Sequence, residues 1–296
     1  MASSNPAMKD EIFERETQAS RAGSFDPQWN SPASEVPPDL FQPGGTTTTS
    51  YGPPPTGAPA GIETMRVSGS LSAAAILLAI LVTAGWFGWQ SVKIVTQLSE
   101  ATGKREVIST HIPAWMIGGW IVGFVLAMVT IFKPKVARLT GPLYAVAEGL
   151  LVGGISHIFD VQYKGIVLQA IGLTIGVFIT MLVLYATKTI RVTDKLRSGV
   201  MAATGAVFLL YMFDILMRVF GHGIGFLTSA GPLGIGISLV IVGVAAFNLL
   251  LDFDFIDRGV RMGAPRYMEW YAGFGLLLTL VWLYLELLRL LSKLRR

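Results

Sequence analysis

Long apolar runs separated by short polar connections fill the chain from residue 67 to its end, and they predict seven membrane-spanning helices. Each run is close to the about 20 residues that an α-helix needs to cross the hydrocarbon core of a bilayer. The first, second and fourth runs contain no Asp, Glu, Lys or Arg, which is not typical of a soluble protein. The predicted segments are 67–92, 112–132, 141–159, 165–187, 198–220, 232–251 and 271–290.

Residues 1–66 have a different composition. Ten of the 15 prolines fall here, together with four consecutive threonines from Thr46 and three consecutive prolines from Pro53. Such a stretch cannot bury enough apolar surface to offset the entropy lost on ordering. We therefore expect two parts: a disordered tail over 1–66, which is either a spacer or a docking site for a protein partner, and a membrane domain over 67–296.

The composition narrows the classes of function. Only 14% of the residues are charged, where a soluble domain carries about 25%. Cysteine is absent and the three histidines are scattered, which argues against thiolate chemistry and a zinc site. The glycine-rich stretch 221–225 lacks the strand before it and the Lys-Ser/Thr after it that a phosphate-binding loop needs. We expect no enzyme activity, no cofactor and no nucleic-acid partner, and a monomer in the bilayer.

The basic residues near the segment ends set the expected orientation, because cytoplasmic loops carry the excess of Lys and Arg. Eleven of these residues fall on the side that holds the tail and seven on the other. We therefore expect the tail in the cytoplasm. We expect the protein itself in the inner membrane. Seven full crossings place the basic C-terminus on the less positive side, which a re-entrant segment would avoid, so the side of the C-terminus stays open.

Four of the seven segments carry carboxylates inside or at the edge of apolar sequence. A charge within a bilayer is costly unless it is paired or faces water. These acids therefore predict a polar interior, which is typical of an ion path, a proton path or a pH-dependent switch. They are Glu148, Asp214, Asp252 and Glu286.

Each acid has a functional and a structural interpretation. Asp252 ends an uncharged run, so it is either a proton-sharing group or a helix-end acid at the interface. Glu148 has no basic residue three or four positions away, so it is part of the path or makes an interhelical hydrogen bond. Asp214 and Arg218 have the i, i+4 spacing of a local ion pair, although Arg218 could instead bond a carboxylate on another helix. Glu286 could be functional or could pair with Arg289.

Charged residues after segment 6 have the same two interpretations. Asp254 and Asp257 each precede an arginine by four residues, which favours a solvated helical extension. Together with Asp252 they could instead attract cations at a pore mouth. His157 and Asp160, near the end of segment 3, could tune gating by pH, although an interfacial histidine is more often inert.

Three stretches of sequence resemble the Bax inhibitor-1 family in its bacterial branch. Residues 141–149 (GPLYAVAEG) resemble the third transmembrane helix of that family. Residues 248–256 (NLLLDFDFI) resemble its Asp-x-x-x-Ile at the end of helix 6, and residues 283–291 (LYLELLRLL) resemble its terminal helix with the closing Leu-Leu-Arg. The resemblance covers about residues 67–296 and leaves the tail outside.

The resemblance implies an all-α integral membrane fold, with six helices around a central, C-terminal seventh. It also implies a pH-sensitive calcium leak or a modulator of cell-death or membrane stress, with one aspartate from helix 6 and one from helix 7 as the pH sensor. Asp252 matches the first aspartate, but Thr279 stands at the position of the second. Glu286 lies seven residues later on the same helical face and could supply the missing carboxylate, as could Glu148.

The expected function is therefore a pH-gated calcium or cation leak. Deprotonation of two close carboxylates, which cannot both ionise at low cost, would open the path. The alternative is a non-conducting membrane regulator of a stress response or of a quality-control protease. Because two helical turns separate Thr279 from Glu286, we expect Asp252 to lie nearer to a basic or hydroxyl group than to Glu286.

Overall fold

A computed structural model describes residues 63–98, 105–111, 113–221, 224–225 and 229–295, together with Glu14 and Gln18. The expected disorder of the tail lies outside the described residues. The described residues from 63 onward form seven long helices, a short 3-10 helix (Pro134–Val136) and one hairpin. In chain order the long helices and the strands are α1 (Val67–Ser91), β1 (Lys93–Leu98), β2 (Arg105–His111), α2 (Ala114–Phe132), α3 (Ala137–Gln162), α4 (Ile166–Ala186), α5 (Asp194–Val219), α6 (Pro232–Arg261) and α7 (Met268–Leu294).

The helices are those of a multi-pass membrane protein. Six of them, all except α2, are long and apolar enough to cross a membrane, and α2 contributes the shorter apolar stretch Gly118–Phe132. Large apolar side chains cover the outside of the bundle, as lipid contact requires: Leu168 is 77% exposed, Leu139 70% and Leu209 68%. The predicted all-helical membrane bundle is confirmed in this form.

Several helices are longer than their apolar runs. The largest difference concerns α6, which continues to Arg261, ten residues beyond the predicted end of segment 6. The interpretation of Asp252 as a helix-end acid is wrong, because the helix continues for nine residues beyond it, as the i, i+4 spacing of Asp254 and Asp257 with arginines favoured. Charged residues continue the helix here because they pair at i, i+4 spacing, so the change from apolar to charged sequence does not end the backbone pattern.

A two-stranded antiparallel hairpin joins α1 to α2, and the all-helical expectation did not include it. The two strands pair from Lys93 with His111 to Leu98 with Arg105, with a shift in register after Val95. Both strands are short and rich in β-branched residues, with polar and apolar residues alternating in part, which favours a pleated structure outside the membrane.

The helix α7 is the centre of the bundle, as the family resemblance implied. In the apolar 18-residue stretch of α7 that could cross the membrane, 61% is buried, against 11–44% in the corresponding stretches of the other five candidate spans. It packs against α1, α3, α4 and α6. Two of the buried clusters show how it joins its neighbours: Phe274 packs with Leu77 and Tyr144, and Leu283 packs with Leu249 and Phe253.

The helices α1 and α3 approach each other closely because glycines face each other across the contact. A Cβ placed on Gly153 would lie 1.9 Å from the carbonyl oxygen of Gly85, and one on Gly88 would lie 2.1 Å from that of Leu150. Small residues at such contacts let two backbones pack directly in a membrane. This contact therefore depends on the absence of a side chain at Gly88 and at Gly153.

The residues before α1 are clasped to the turn between α6 and α7. The amide of Met65 donates to Ala264 O at 2.7 Å, and the amide of Arg266 donates to Glu63 O at 2.9 Å. The Arg266 guanidinium also hydrogen-bonds the Glu63 carboxylate, which holds the pKa of Glu63 below its ordinary value. The carboxylate of Glu269 accepts from the Arg66 amide at 2.9 Å and so caps α1, which has no side-chain cap of its own.

The opposite end of α7 lies against a different set of loops. Arg295 donates to Lys164 O at 2.9 Å, in the turn between α3 and α4, and to Gln169 Oε1 at 2.8 Å, in the first turn of α4. Lys293 is buried, and its Nζ donates to Gly234 O at 3.0 Å and to Ser238 Oγ at 2.7 Å. The start of α1 and the end of α7 therefore lie at opposite ends of the bundle. Because Lys293 bonds inside the protein, it does not act as a loop charge.

This arrangement predicts the outcome of cysteine labelling in sealed, uniformly oriented vesicles. The chain has no cysteine, so Arg261→Cys and Arg295→Cys each give a single thiol. A membrane-impermeant maleimide should label one variant from outside, and the other only after the vesicles are permeabilised, because the two residues lie at opposite ends of α6 and α7. Equal labelling of both variants from the same side would show that α7 does not cross.

Candidate functional site

Polar side chains lie between α5, α6 and α7 along the length of these helices. We call this set the polar seam. The helices α6 and α7 run antiparallel, and α5 lies beside α6, so polar groups at corresponding depths meet. The polar seam consists of Arg197, Thr204 and Tyr211 on α5, Asn248, Asp252 and Asp254 on α6, and Thr279, Glu286 and Arg289 on α7.

Asp252 is the most buried acid of the polar seam after Glu286. It is 3% exposed, and its Oδ2 has no hydrogen-bond partner. The Thr279 side chain on α7 lies beside it. Among the residues that the structure describes, no cation or second carboxylate bonds to it. The expectation that a hydroxyl group would be nearer to Asp252 than Glu286 is confirmed.

The register of α6 against α7 explains why Glu286 does not meet Asp252. Lys293 bonds to Ser238, and Thr279 lies beside Asp252. The two contacts are separated by 14 residues on α6, from Ser238 to Asp252, and by the same number on α7, from Thr279 to Lys293. Glu286 lies halfway between Thr279 and Lys293 on α7, so its level is seven residues from that of Asp252, or about 10.5 Å along the axis.

Glu286 forms a separate cluster with Tyr211 and Arg289. The Tyr211 hydroxyl donates to Glu286 Oε1 at 2.8 Å, or to Oε2 at 3.0 Å. Arg289 Nη1 bonds to Glu286 Oε1 at 3.3 Å and to the Tyr211 hydroxyl, and its guanidinium lies 4.8 Å from the centre of the Tyr211 ring. The expected i, i+3 pair of Glu286 with Arg289 is present, and Tyr211 links it to α5.

Asn248 and Thr204 join α6 to α5 between these levels. The Asn248 side-chain amide donates to Thr204 Oγ1 at 2.7 Å. Asn248 lies one turn from Asp252 on α6, so the two side chains share a face of the helix. The structure therefore places an amide and a hydroxyl oxygen close to the level of the buried carboxylate.

Asp254 and Asp257 are engaged by basic groups and a tyrosine. Asp254 Oδ2 lies 2.8 Å from Arg197 Nη2 and 3.0 Å from Arg258 Nε. Asp257 pairs with Arg261 and accepts from the Tyr185 hydroxyl at 3.1 Å. Within the described part of the chain, no three His, Cys, Asp or Glu residues are grouped to hold a metal ion. The helical extension with i, i+4 pairs is confirmed here.

Glu148 and Asp214 lie outside the polar seam. Glu148 is half-buried and lies beside the Tyr144 side chain, one turn earlier on α3. Asp214 pairs with Arg218 at 2.8 Å and accepts from the Ile224 amide at 2.9 Å, so the local ion pair is confirmed. The structure thus separates the four membrane acids instead of bringing them together.

His157 and Asp160 have structural contacts. The His157 ring stacks on Trp89 with centroids 4.9 Å apart and an interplanar angle of 17°, and its Nδ1 has no hydrogen-bond partner. Asp160 Oδ1 accepts from the Gly165 amide at 2.9 Å, in the turn where Gly165 has a φ of 77°.

The sequence contained a signal for the polar seam that residue-by-residue interpretation missed. The seam residues of α5 are spaced by seven, at positions 197, 204 and 211, and Thr279, Glu286 and Lys293 have the same spacing on α7. A seven-residue spacing keeps side chains on one helical face. Lys293 was counted as a loop charge because it lies close to the end of the sequence, beside Arg295 and Arg296, where burial is not expected.

A comparison with protein-family models gives one match. The model described as Bax inhibitor 1 like matches residues 5–296. The match includes nearly all of the tail, which corrects the expectation that only residues 67–296 carry the resemblance. No curated protein and no solved structure matches the chain.

Proposed function

Since the chain belongs to the Bax inhibitor 1 like family, we propose that it is a pH-sensitive cation leak in which Asp252 is the proton-binding group. The permeant ion we propose is Ca²⁺. We also propose an inner-membrane location with the clasped start of α1 on the cytoplasmic side, where Arg258, Arg261 and Arg266 also lie.

The observation that carries the proposal is the state of Asp252. An ionised carboxylate that is buried without a cation or a full set of hydrogen bonds is strongly unfavourable. Asp252 is 3% exposed and one of its oxygens has no partner. In the closed protein, Asp252 is therefore the neutral acid in this proposal.

The Thr279 hydroxyl beside Asp252 can accept the proton of a neutral carboxyl group in this proposal. A threonine hydroxyl has one proton and can still accept a hydrogen bond. Thr279 Oγ1 donates to the Gly275 carbonyl oxygen at 3.3 Å, which leaves its lone pairs to accept the proton of a carboxylic acid. A protonated Asp252 would satisfy Thr279, whereas an ionised Asp252 would compete with Gly275 for the single hydroxyl proton.

The direction of pH dependence follows from this arrangement. As the pH rises, Asp252 loses its proton, and the charge must then be compensated by water or by a cation. A hydrated, open arrangement of α5, α6 and α7 supplies that compensation, so ionisation favours the open state. Flux should therefore increase with pH on the side from which protons reach Asp252.

The chemistry near Asp252 fits a passing cation better than a resident one. Ca²⁺ takes six to eight oxygen ligands when it is held tightly. Asp252, Thr279, Thr204 and Asn248 offer one carboxylate with hydroxyl and amide oxygens, which is a weak set. Weak binding is what conduction requires, because an ion must be able to leave its site.

Flux through the purified protein in liposomes tests the proposal. The liposomes are loaded with a Ca²⁺-sensitive dye, and influx is followed over a series of pH values. The wild-type protein should leak Ca²⁺ in a pH-dependent way, and Asp252→Asn should make the flux independent of pH, because the amide of Asn is isosteric with the acid and does not titrate.

Asp257→Asn is the matched control, because it removes a carboxylate of the same helix that already pairs with Arg261. It should retain the pH dependence of the wild type. An unchanged pH curve for Asp252→Asn would contradict the assignment of Asp252. No flux from correctly folded wild-type protein would favour the non-conducting regulator of a stress response or of a protease.

A further inference from the structure

We infer that the cation path follows the polar seam between α5 and the α6–α7 pair, and that Tyr211, Glu286 and Arg289 form a second closure on it. This inference rests on the proposed leak and adds the route and a barrier remote from Asp252. It places the moving wall of the path on α5.

The face of α5 that meets the bundle has a regular spacing. Residues 197, 200, 204, 207, 211 and 214 alternate steps of three and four, which is the pattern of one continuous helical face. Every seventh residue of this face is polar and bonds outside α5: Arg197 to Asp254 at 2.8 Å, Thr204 to Asn248 at 2.7 Å, and Tyr211 to Glu286 at 2.8 Å.

The apolar packing of α5 is sparse in comparison. Among the described residues of α5, the buried apolar ones are Val200 and Val207. Only 17% of the apolar 18-residue stretch of α5 that could cross the membrane is buried. In a membrane, apolar side chains gain little by leaving lipid for protein, so packing and polar contacts hold helices together. The helix α5 is therefore attached mainly by the three polar contacts, and water that replaces them opens the seam along its length.

The opposite face of α5 is suited to lipid and cannot line a path. Phe208 is 62% exposed, Leu209 68% and Phe213 54%. A cation that crosses beside α5 must therefore use the face that carries Thr204 and Tyr211. This difference between the two faces gives the inference its sharpest test.

The cluster at Glu286 closes the part of the seam nearest the end of α7. The Glu286 side chain is 3% exposed, whereas that of Arg289 is 41% exposed. The charged groups that face this level are Glu286 and Arg289 from α7 and Asp214 and Arg218 from α5, and Arg289 acts on Asp214 electrostatically. The Arg289 guanidinium, which bonds both the Tyr211 hydroxyl and Glu286, lies at this entrance and occupies the carboxylate that would otherwise attract an entering cation.

The other end of the seam has a comparable barrier. Asp254 is bonded by both Arg197 and Arg258, so one carboxylate faces two positive charges. Asp252 lies between the two ends and has no charged partner among the described residues. The closed seam thus has arginines at both ends and a neutral centre.

Cysteine accessibility tests the route without relying on flux. Thr204→Cys places a thiol in the seam, Leu209→Cys places one on the lipid face about one turn later, and Asn248→Cys is a second seam position on α6. Relative to the exposed thiol of Arg261→Cys at the same pH, which corrects for the larger thiolate fraction at high pH, a charged methanethiosulfonate should modify the two seam thiols faster at high pH than at low pH. It should leave Leu209→Cys unmodified. The modification should also block flux.

Tyr211→Phe tests the closure. It removes the hydroxyl that bonds Glu286 and Arg289 and keeps the ring. Flux should rise about fivefold at every pH, which is the change in the open-to-closed ratio for a lost hydrogen bond of about 1 kcal/mol. Tyr185→Phe is the matched control, because it removes a tyrosine–carboxylate bond to Asp257 outside the seam, and it should leave flux unchanged.

The outcomes separate this inference from the proposed function. Flux that depends on Asp252, with both seam thiols unmodified at every pH, would overturn the route and leave the leak standing. Equal flux in Tyr211→Phe and wild type would overturn the closure. Modified seam thiols in a protein without flux would overturn the leak and the cation path together.

Discussion

Thr279→Asp should spread the pH response of flux over a wider range and divide it into two steps. The substitution places a second carboxylate beside Asp252, at the position where the family resemblance puts one. Two carboxylates within hydrogen-bond reach share one proton and release their protons in two coupled steps. Interactions of this kind separate two titrations by one pH unit or more. The measurement is Ca²⁺ influx into liposomes over a fine series of pH values.

Thr279→Asn is the matched control, because it has the shape of Asp and does not ionise. Its flux should follow a single step, as in the wild type. Identical curves for the Asp and Asn variants would mean that residue 279 does not couple to the proton-binding group, and that the contact between Thr279 and Asp252 has no part in gating.

Gly153→Ala should strongly reduce the stability of the protein. The added Cβ would lie 1.9 Å from the Gly85 carbonyl oxygen and 2.6 Å from the carbonyl carbon. Both are backbone atoms, so no side chain can rotate away and α3 must separate from α1. Overpacking of this kind costs about 3 kcal/mol or more. The free energy of unfolding in detergent, or the melting temperature measured by loss of the monodisperse species, gives the test.

Gly176→Ala gives the comparison within the same protein. Gly176 lies in α4, and a Cβ built on it meets no atom within 4 Å. The substitution should change the free energy of unfolding by about 0.5 kcal/mol or less. Equal losses of stability in Gly153→Ala and Gly176→Ala would show that the close contact of α1 with α3 does not exist in the membrane protein.

The sequence was sufficient for the number and order of the helices because lipid imposes a simple rule. Each crossing needs a long apolar run, and charges mark the ends. The apolar run alone ended segment 6 at residue 251, and the i, i+4 spacing of Asp254 and Asp257 with arginines was needed to predict that the helix continues, as it does to Arg261. The rule gave no information on the strands Lys93–Leu98 and Arg105–His111, which pair locally between α1 and α2.

The acids were found from the sequence, but their partners were not. The register of α6 on α7, which sets Asp252 against Thr279, depends on packing between distant parts of the chain. Glu286 could therefore be placed on the correct face but not assigned to Tyr211, which no family motif marks. The buried position of Lys293 likewise depends on Ser238, 55 residues away.

The central position of α7 constrains the order in which the protein can be assembled. Chains enter the membrane from their N-terminus, and α7 is synthesised after the six helices α1 to α6. Until it arrives, α1 lacks the Glu269 cap on its first amide, and Asp252, Ser238 and Tyr211 lack their partners. The first six helices must therefore wait in lipid with unsatisfied polar groups, which is the state that membrane chaperones and proteases recognise by exposed polarity. A ribosome stall or a premature stop before residue 268 would leave the chain in that state permanently.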